Sequence, residues 1–133
     1  MFQVIDMHCD TIPALQWKEK QEHLADADLQ INLDKLEKGG SLCQCFSLFT
    51  FLKGLKDETP FEHVRKLADL WKSEVERYPD RICQIKTYAD LMQVQKEGKI
   101  GAVMTVEEGG VYEGSIETVS YTHLRAHETS QDL

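Results

Sequence analysis

The chain has 133 residues, of which 41% are hydrophobic and 29% are charged, a composition typical of a globular protein in water. Its formal net charge of -8 argues against nucleic acid or an anionic membrane surface as the main partner, because both are negatively charged. No apolar run approaches the roughly 18 residues that cross a bilayer, and no signal-peptide pattern opens the chain. We therefore expect a cytoplasmic protein that is not inserted in a membrane.

The four cysteines predict free thiols rather than disulfides. Cys9, Cys43, Cys45 and Cys83 include no Cys-x-x-Cys pair, and no secretory signal precedes them. Cys43 and Cys45 are two residues apart in a strand-like run, so they are expected to point to the same face of a sheet.

The first part of the chain predicts two strands and two helices. Residues 2–7 are short, apolar and β-prone, which is typical of a buried strand. A charged helix is predicted over 14–24, because Pro13 suits a first helical turn. A second helix over 33–38 ends at a glycine pair. The most hydrophobic stretch, 41–51, is the second predicted strand.

The clearest helix signal in the sequence begins at Thr59. This residue can cap the helix, Pro60 suits its first position, and Glu62 completes a capping box. Apolar residues then keep helical spacing as far as Tyr78. Another helix is predicted over 88–96, again behind a threonine cap.

The apolar run 100–106 is the third predicted strand. The resulting order is strand, helix, strand, helix, helix, strand, which favours an α/β fold with a parallel sheet and helices packed outside it. This order alone fits both an open doubly wound sheet and a closed barrel. A complete eight-stranded barrel needs about 250 residues, so in that case the chain is a part of one.

Polar side chains that could bind a metal follow two of the predicted strands. His8 and Asp10 come after the first strand, and Glu107 and Glu108 come after the third. The carboxyl ends of parallel strands meet at one edge of a sheet, where functional groups collect. On a strand His8 and Asp10 alternate to the same side, and zinc accepts such nitrogen and oxygen donors. A carboxylate from a neighbouring strand can then bridge two ions.

Each of these two segments also has a simpler interpretation. The His-Asp pair alone can be a hydrogen-bonded surface pair, and Glu-Glu-Gly-Gly alone can be a solvated turn. Their joint position at two strand ends favours the metal hypothesis.

Three blocks of the sequence resemble the renal (membrane) dipeptidase family of zinc peptidases, in that family's order. The first is 5–13 (IDMHCDTIP), the second is 29–46 with its Asn-Leu, Gly-Gly and Gln-x-Phe pairs, and the third is 99–113, where a strand ends in Glu-Glu-Gly-Gly. The resemblance covers residues 2–118 and is greatest to the bacterial, cytosolic-looking branch.

The resemblance implies the N-terminal part of a TIM (β/α)8 barrel of the metallo-dependent hydrolase type, truncated after about three strands. It also implies a binuclear zinc centre in which a metal-bridging hydroxide hydrolyses dipeptides. His8 and Asp10 would be ligands of one zinc ion. The bridging carboxylate would be Glu107 if the third block aligns without a gap, or Glu108 if the Glu-Gly-Gly triplet is matched directly. The ungapped alignment is favoured.

The family's other ligands and its catalytic aspartate would lie beyond Thr118 and are missing from the chain. The full-length protein is a possible homodimer. Because His-x-His is common at the first strand end of other barrel hydrolases that cleave cyclic amides or esters, the His-x-Asp pattern here disfavours that alternative.

The end of the chain resembles a different kind of sequence. Residues 119–129 (VSYTHLRAHET) look like the translation of a transposon-end sequencing adapter. We therefore divide the chain into 1–118, a portion of a dipeptidase barrel, and 119–133, a non-native tail. His123 and His127 have helical spacing, but the zinc-protease motif requires Glu at position 124, which is Leu. The 133-residue chain itself is expected to be a poorly folded, aggregation-prone fragment without turnover.

Overall fold

Four parallel strands form a single sheet in the computed structural model of the chain, which describes residues 2–25 and 28–119. The strands are β1 (Val4–Asp6), β2 (Ser41–Leu48), β3 (Ile82–Gln84) and β4 (Ile100–Val106), in the spatial order β1-β2-β4-β3. The helices are α1 (Thr11–Gln16), α2 (Leu33–Lys38), α3 (Pro60–Arg77) and α4 (Tyr88–Glu97). The predicted α/β fold with a parallel sheet is confirmed.

Helix α3 has the predicted bounds and the predicted cap. The Thr59 hydroxyl accepts the Glu62 N–H at 3.2 Å, and the Glu62 carboxylate accepts the Thr59 N–H at 2.8 Å. These two bonds satisfy N–H groups that have no partner inside the helix. The predicted apolar face is buried against the sheet, with Leu67 fully enclosed and Trp71 nearly so.

The helix predicted over 14–24 is wrong in both bounds. Helix α1 begins at Thr11 and ends at Gln16. Tertiary contacts hold the following segment in another path, because the fully buried Leu24 donates its N–H to the Glu74 carboxylate at 2.7 Å. The Leu24 carbonyl in turn accepts the N–H of Leu33 at 2.9 Å. Helix propensity depends on local sequence and therefore gives no information about these distant partners.

Strand β3 was not predicted, so the described residues form four strands rather than about three. It is three residues long and pairs in register with the first half of β4, Ile82 opposite Ile100. Its pairing continues through the Ile85 N–H, which donates to the Ala102 carbonyl at 3.0 Å. A strand this short has no detectable period in the sequence, and only the neighbouring strand fixes it.

Helix α4 packs on the opposite face of the sheet from α3, a placement that the order of predicted elements left open. Leu91 and Val94 of α4 contact Cys43 and Val103, while the α3 residues pack with Phe46 on the other face. The strand order explains this. The chain passes over β4 to reach β3 and then returns, and right-handed crossovers in opposite directions put their helices on opposite faces.

The larger core lies between the sheet and helices α1 and α3, and it includes Ile12, Phe46, Leu48, Leu67 and Trp71. The second half of β4 is only half-buried, because β3 pairs with its first half alone. Within the described residues, no helix combines the length and the apolar character that crossing a membrane requires.

All four cysteines are free thiols, and Cys43 and Cys45 lie on one face as predicted. Cys43 is 4% exposed, and burial, with a smaller contribution from Cys45, raises the pKa of its thiol from 9.0 to about 11.

This shift predicts a loss of stability at alkaline pH. Above pH 9 the unfolded chain releases the Cys43 proton while the folded chain keeps it, so the free energy of unfolding falls until the pH reaches about 11. One proton gives at most about 1.4 kcal/mol per pH unit. Urea unfolding at pH 8 and pH 10.5 measures the effect. Cys43→Ala is the control, and an equally steep fall in that variant would contradict the assignment.

Candidate metal centre

The segment after β1 continues to pair with β2, but with a shifted register. Asp6 lies opposite Gln44. Further on, the Cys9 N–H donates to the Cys45 carbonyl at 3.0 Å, and the Cys9 carbonyl accepts the Ser47 N–H at 2.9 Å. In a parallel ladder these two bonds place Cys9 opposite Phe46. Three residue steps on the first strand therefore match two on the second, which is a β-bulge of one residue.

This bulge decides which face His8 and Asp10 occupy. Cys9 shares the face of Phe46 and is buried in the larger core. Its two neighbours therefore point to the other face, which also carries Ser47. In a regular ladder His8 would lie opposite Phe46 and point into the core. The Asp6 carboxylate accepts the His8 N–H at 3.1 Å, which stabilises the turn at the bulge.

The structure brings His8, Asp10 and Glu107 together on this face. His8 Nε2 lies 3.3 Å from Asp10 Oδ1 and 3.8 Å from Glu107 Oε2. One potential ligand atom from each residue lies within 4.8 Å of the other two. Two donors of a tetrahedral zinc ion are roughly 3.4 Å apart when each bond is about 2.1 Å. The donor types and their separations therefore fit such an ion.

The three side chains are about half exposed, at 51% for His8, 63% for Asp10 and 48% for Glu107. Asp10 occupies the N-cap position of α1, but its side chain makes no capping hydrogen bond. Its carboxylate is directed instead toward His8, where it can act as a ligand.

Glu108, the alternative bridging residue, is directed elsewhere. Its carboxylate accepts the Gly110 N–H at 2.8 Å and caps the short 3-10 turn Gly109–Tyr112. A Cβ at Gly110 would lie 2.6 Å from the Leu52 side chain and 3.1 Å from the Glu108 carboxylate, so a larger residue there would require both side chains to shift. The two adjacent glutamates thus have different tasks, one in the cluster and one in the turn that follows it.

Sequence reasoning missed Ser47 at this site. Its hydroxyl donates to Glu107 Oε2 at 2.8 Å, and its side chain is fully buried. The sequence feature that could have indicated this residue is its position as the last polar residue before the end of the second strand. Its register relative to Glu107 follows only from the pairing of β2 with β4.

A cavity of about 510 Å³ adjoins the cluster. It is lined by His8, Cys9, Asp10, Thr11, Ala14, Asp28, Leu29, Gln30, Ile31 and Lys35. A space of this size admits a small molecule next to the imidazole and the Asp10 carboxylate. The histidines at positions 123 and 127, which the sequence analysis set aside, lie outside the described residues.

A parallel sheet with a histidine and carboxylates at its carboxyl edge is an arrangement of (β/α) barrel hydrolases. Solved structures support this class. A probable dipeptidase, PvdM, from Pseudomonas aeruginosa is 15% identical, with a TM-score of 0.66 over 92% of this chain and 32% of its own. An amidohydrolase from Pseudomonas aeruginosa is 14% identical, with a TM-score of 0.58 over 71% of this chain and 26% of its own.

The chain belongs to the membrane dipeptidase family, peptidase family M19, whose sequence model matches residues 1–126. This confirms the resemblance inferred from the three sequence blocks. No curated protein sequence matches the chain significantly. The chain spans about a quarter to a third of the length of the two solved structures. The family match extends past Thr118, and the division of the chain at that residue stays a prediction.

The shifted register can be tested by amide hydrogen exchange measured by NMR. The Cys9 and Ser47 amides, which donate across the ladder, are expected to exchange slowly. The His8 amide bonds only to an exposed carboxylate and should exchange faster. A regular ladder would give the opposite result, with His8 protected and Cys9 not.

Proposed function

We propose that this chain is the N-terminal portion of a zinc-dependent dipeptidase that hydrolyses the peptide bond of dipeptides. The observation that carries the proposal is the convergence of His8, Asp10 and Glu107 at the carboxyl edge of the sheet in a chain of the membrane dipeptidase family. In this proposal the remaining ligands and catalytic groups come from later strands, in keeping with the 32% of the related dipeptidase structure that the chain covers.

In this proposal His8 and Asp10 would hold one of two zinc ions, and Glu107 would supply the carboxylate that both ions share. The His8 Nε2 atom faces both carboxylates, so the neutral imidazole must carry its proton on Nδ1 in order to bind the ion. The two carboxylates offset part of the charge of the ions. When bound, the ions supply a hydroxide nucleophile at neutral pH and polarise the scissile carbonyl.

The cavity beside His8 and Asp10 supports binding of a small substrate such as a dipeptide at this edge. The negative net charge supports neither nucleic acid nor an anionic surface as partner. A cytoplasmic location and a homodimeric full-length protein remain part of the proposal.

The assignment of Glu107 rather than Glu108 predicts different effects of matched substitutions on zinc binding. Glu107→Gln is expected to weaken zinc binding by the uninterrupted protein that carries residues 1–118 at least tenfold, because an amide is a poor ligand. Glu108→Gln should leave the affinity within about threefold, since its carboxylate binds the Gly110 N–H. Competition with a chromophoric chelator measures both values. The reverse order would assign the ligand role to Glu108.

Activity is tested in the uninterrupted protein that carries residues 1–118. We expect it to hydrolyse dipeptides, to lose activity with a chelator, and to recover when zinc is restored. His8→Ala should abolish turnover, because removal of a metal ligand leaves the site incomplete. The 133-residue chain alone should show none. Hydrolysis that is indifferent to chelation, or full activity of the His8 variant, would contradict the metal mechanism.

A second candidate is another binuclear-metal hydrolase of the same barrel fold, acting on cyclic amides or esters. The structural likeness to an amidohydrolase supports the shared fold of this candidate, and not its reaction. The same assay with a dihydropyrimidine or a lactone in place of the dipeptide distinguishes the two reactions.

A further inference from the structure

Ser47 donates hydrogen bonds to both halves of the candidate metal centre. Its backbone N–H donates to the Cys9 carbonyl at 2.9 Å, and its hydroxyl donates to Glu107 Oε2 at 2.8 Å. We propose that Ser47 is a positioning residue that fixes the Glu107 carboxylate relative to His8 and Asp10. This inference rests on the proposed function, because it gives these three residues a common metal.

The backbone bond controls the first half of the cluster. Cys9 lies between His8 and Asp10, so the hydrogen bond to its carbonyl also fixes the backbone positions from which both side chains project. The bond is one of the two that place Cys9 opposite Phe46 and turn its neighbours to the face of the cluster. A substitution that keeps the Ser47 backbone leaves this half unchanged.

The hydroxyl controls the second half. The oxygen that it contacts, Glu107 Oε2, is also the one that lies 3.8 Å from His8 Nε2. Glutamate has three rotatable side-chain bonds, and the Glu107 side chain is 48% exposed, so its own surroundings restrain it only partly. The hydrogen bond from a rigid strand restricts the carboxylate to the orientation in which it faces the imidazole.

The burial of Ser47 supports a dedicated role for its hydroxyl. The side chain is fully buried, and a buried hydroxyl without a partner is destabilising. Glu107 supplies that partner from the neighbouring strand. Hydrogen bonds that orient a metal ligand in this way typically change metal affinity or activity by about 10- to 100-fold.

Thr105 provides a matched control. It lies directly opposite Ser47 in the ladder between β2 and β4, on the same face of the sheet. Its hydroxyl donates to the Phe46 carbonyl at 3.1 Å. Thr105→Val therefore removes a hydroxyl at the same level of the sheet without removing the hydrogen bond to Glu107.

The test compares zinc binding by the uninterrupted protein that carries residues 1–118 and by its Ser47→Ala, Ser47→Thr and Thr105→Val variants. Affinity is measured by competition with a chromophoric chelator, at a concentration where each protein is monodisperse. We expect Ser47→Ala to lose about 10- to 100-fold in zinc affinity. Ser47→Thr, which keeps the hydroxyl, should regain most of it, and Thr105→Val should stay within about threefold of the original chain.

Thermal unfolding with and without zinc separates positioning from general stability. A positioning role predicts that Ser47→Ala and Thr105→Val melt alike without zinc, while zinc raises the melting temperature of Ser47→Ala less. If Ser47→Ala and Thr105→Val lose stability and zinc affinity equally, the residue is only structural and the proposal is overturned.

Two outcomes distinguish this inference from the proposed function. If Glu107→Gln loses zinc affinity and Ser47→Ala does not, the role of Ser47 is wrong and the metal centre stands. If zinc binding is absent, or is indifferent to both His8→Ala and Glu107→Gln, the metal centre itself is wrong and the role of Ser47 with it.

Discussion

The paired hydrogen bonds between Cys9 and the second strand are the constraint on which the candidate centre depends. They fix Cys9 opposite Phe46, one residue out of step with the pairing of Asp6 and Gln44. Because side chains alternate along a strand, one extra residue moves every later side chain to the other face. Cys9 thereby enters the core, and the imidazole and carboxylate on either side of it face outward from that core toward the strand end that carries Glu107.

Helix α4 and the candidate centre lie on the same face of the sheet but at opposite ends of it, because the chain turns back after β3 to form β4. Helix α4 covers the face near Cys43 and Val103, toward the start of the strands. The cluster of His8, Asp10 and Glu107 lies beyond the other end, where it stays accessible. A right-handed connection that returns toward the middle of the sheet requires this placement of α4. The fold therefore buries the face at one end and leaves it open at the other.

Much of the secondary structure was predictable because its signals are local. The Thr59 capping box and the apolar spacing of α3 predicted that helix, and the apolar run at 100–106 predicted β4 with its observed bounds. The errors occur where distant contacts decide. Glu74 holds Leu24 in a turn, although the local sequence predicts a helix there. Strand β3 forms because it pairs with β4.

The sequence by itself determined the parallel α/β class, the family, and His8, Asp10 and one of the two glutamates at 107 and 108 as candidate ligands, since these depend on residue types and on the order of the blocks along the chain. Only the tertiary structure decided that Glu107 rather than Glu108 faces His8, and that Ser47 holds it. The physical reason is that orientation depends on strand register. A shift of one residue reverses the direction of a side chain, and the hydrogen bonds that set this register join residues far apart in sequence.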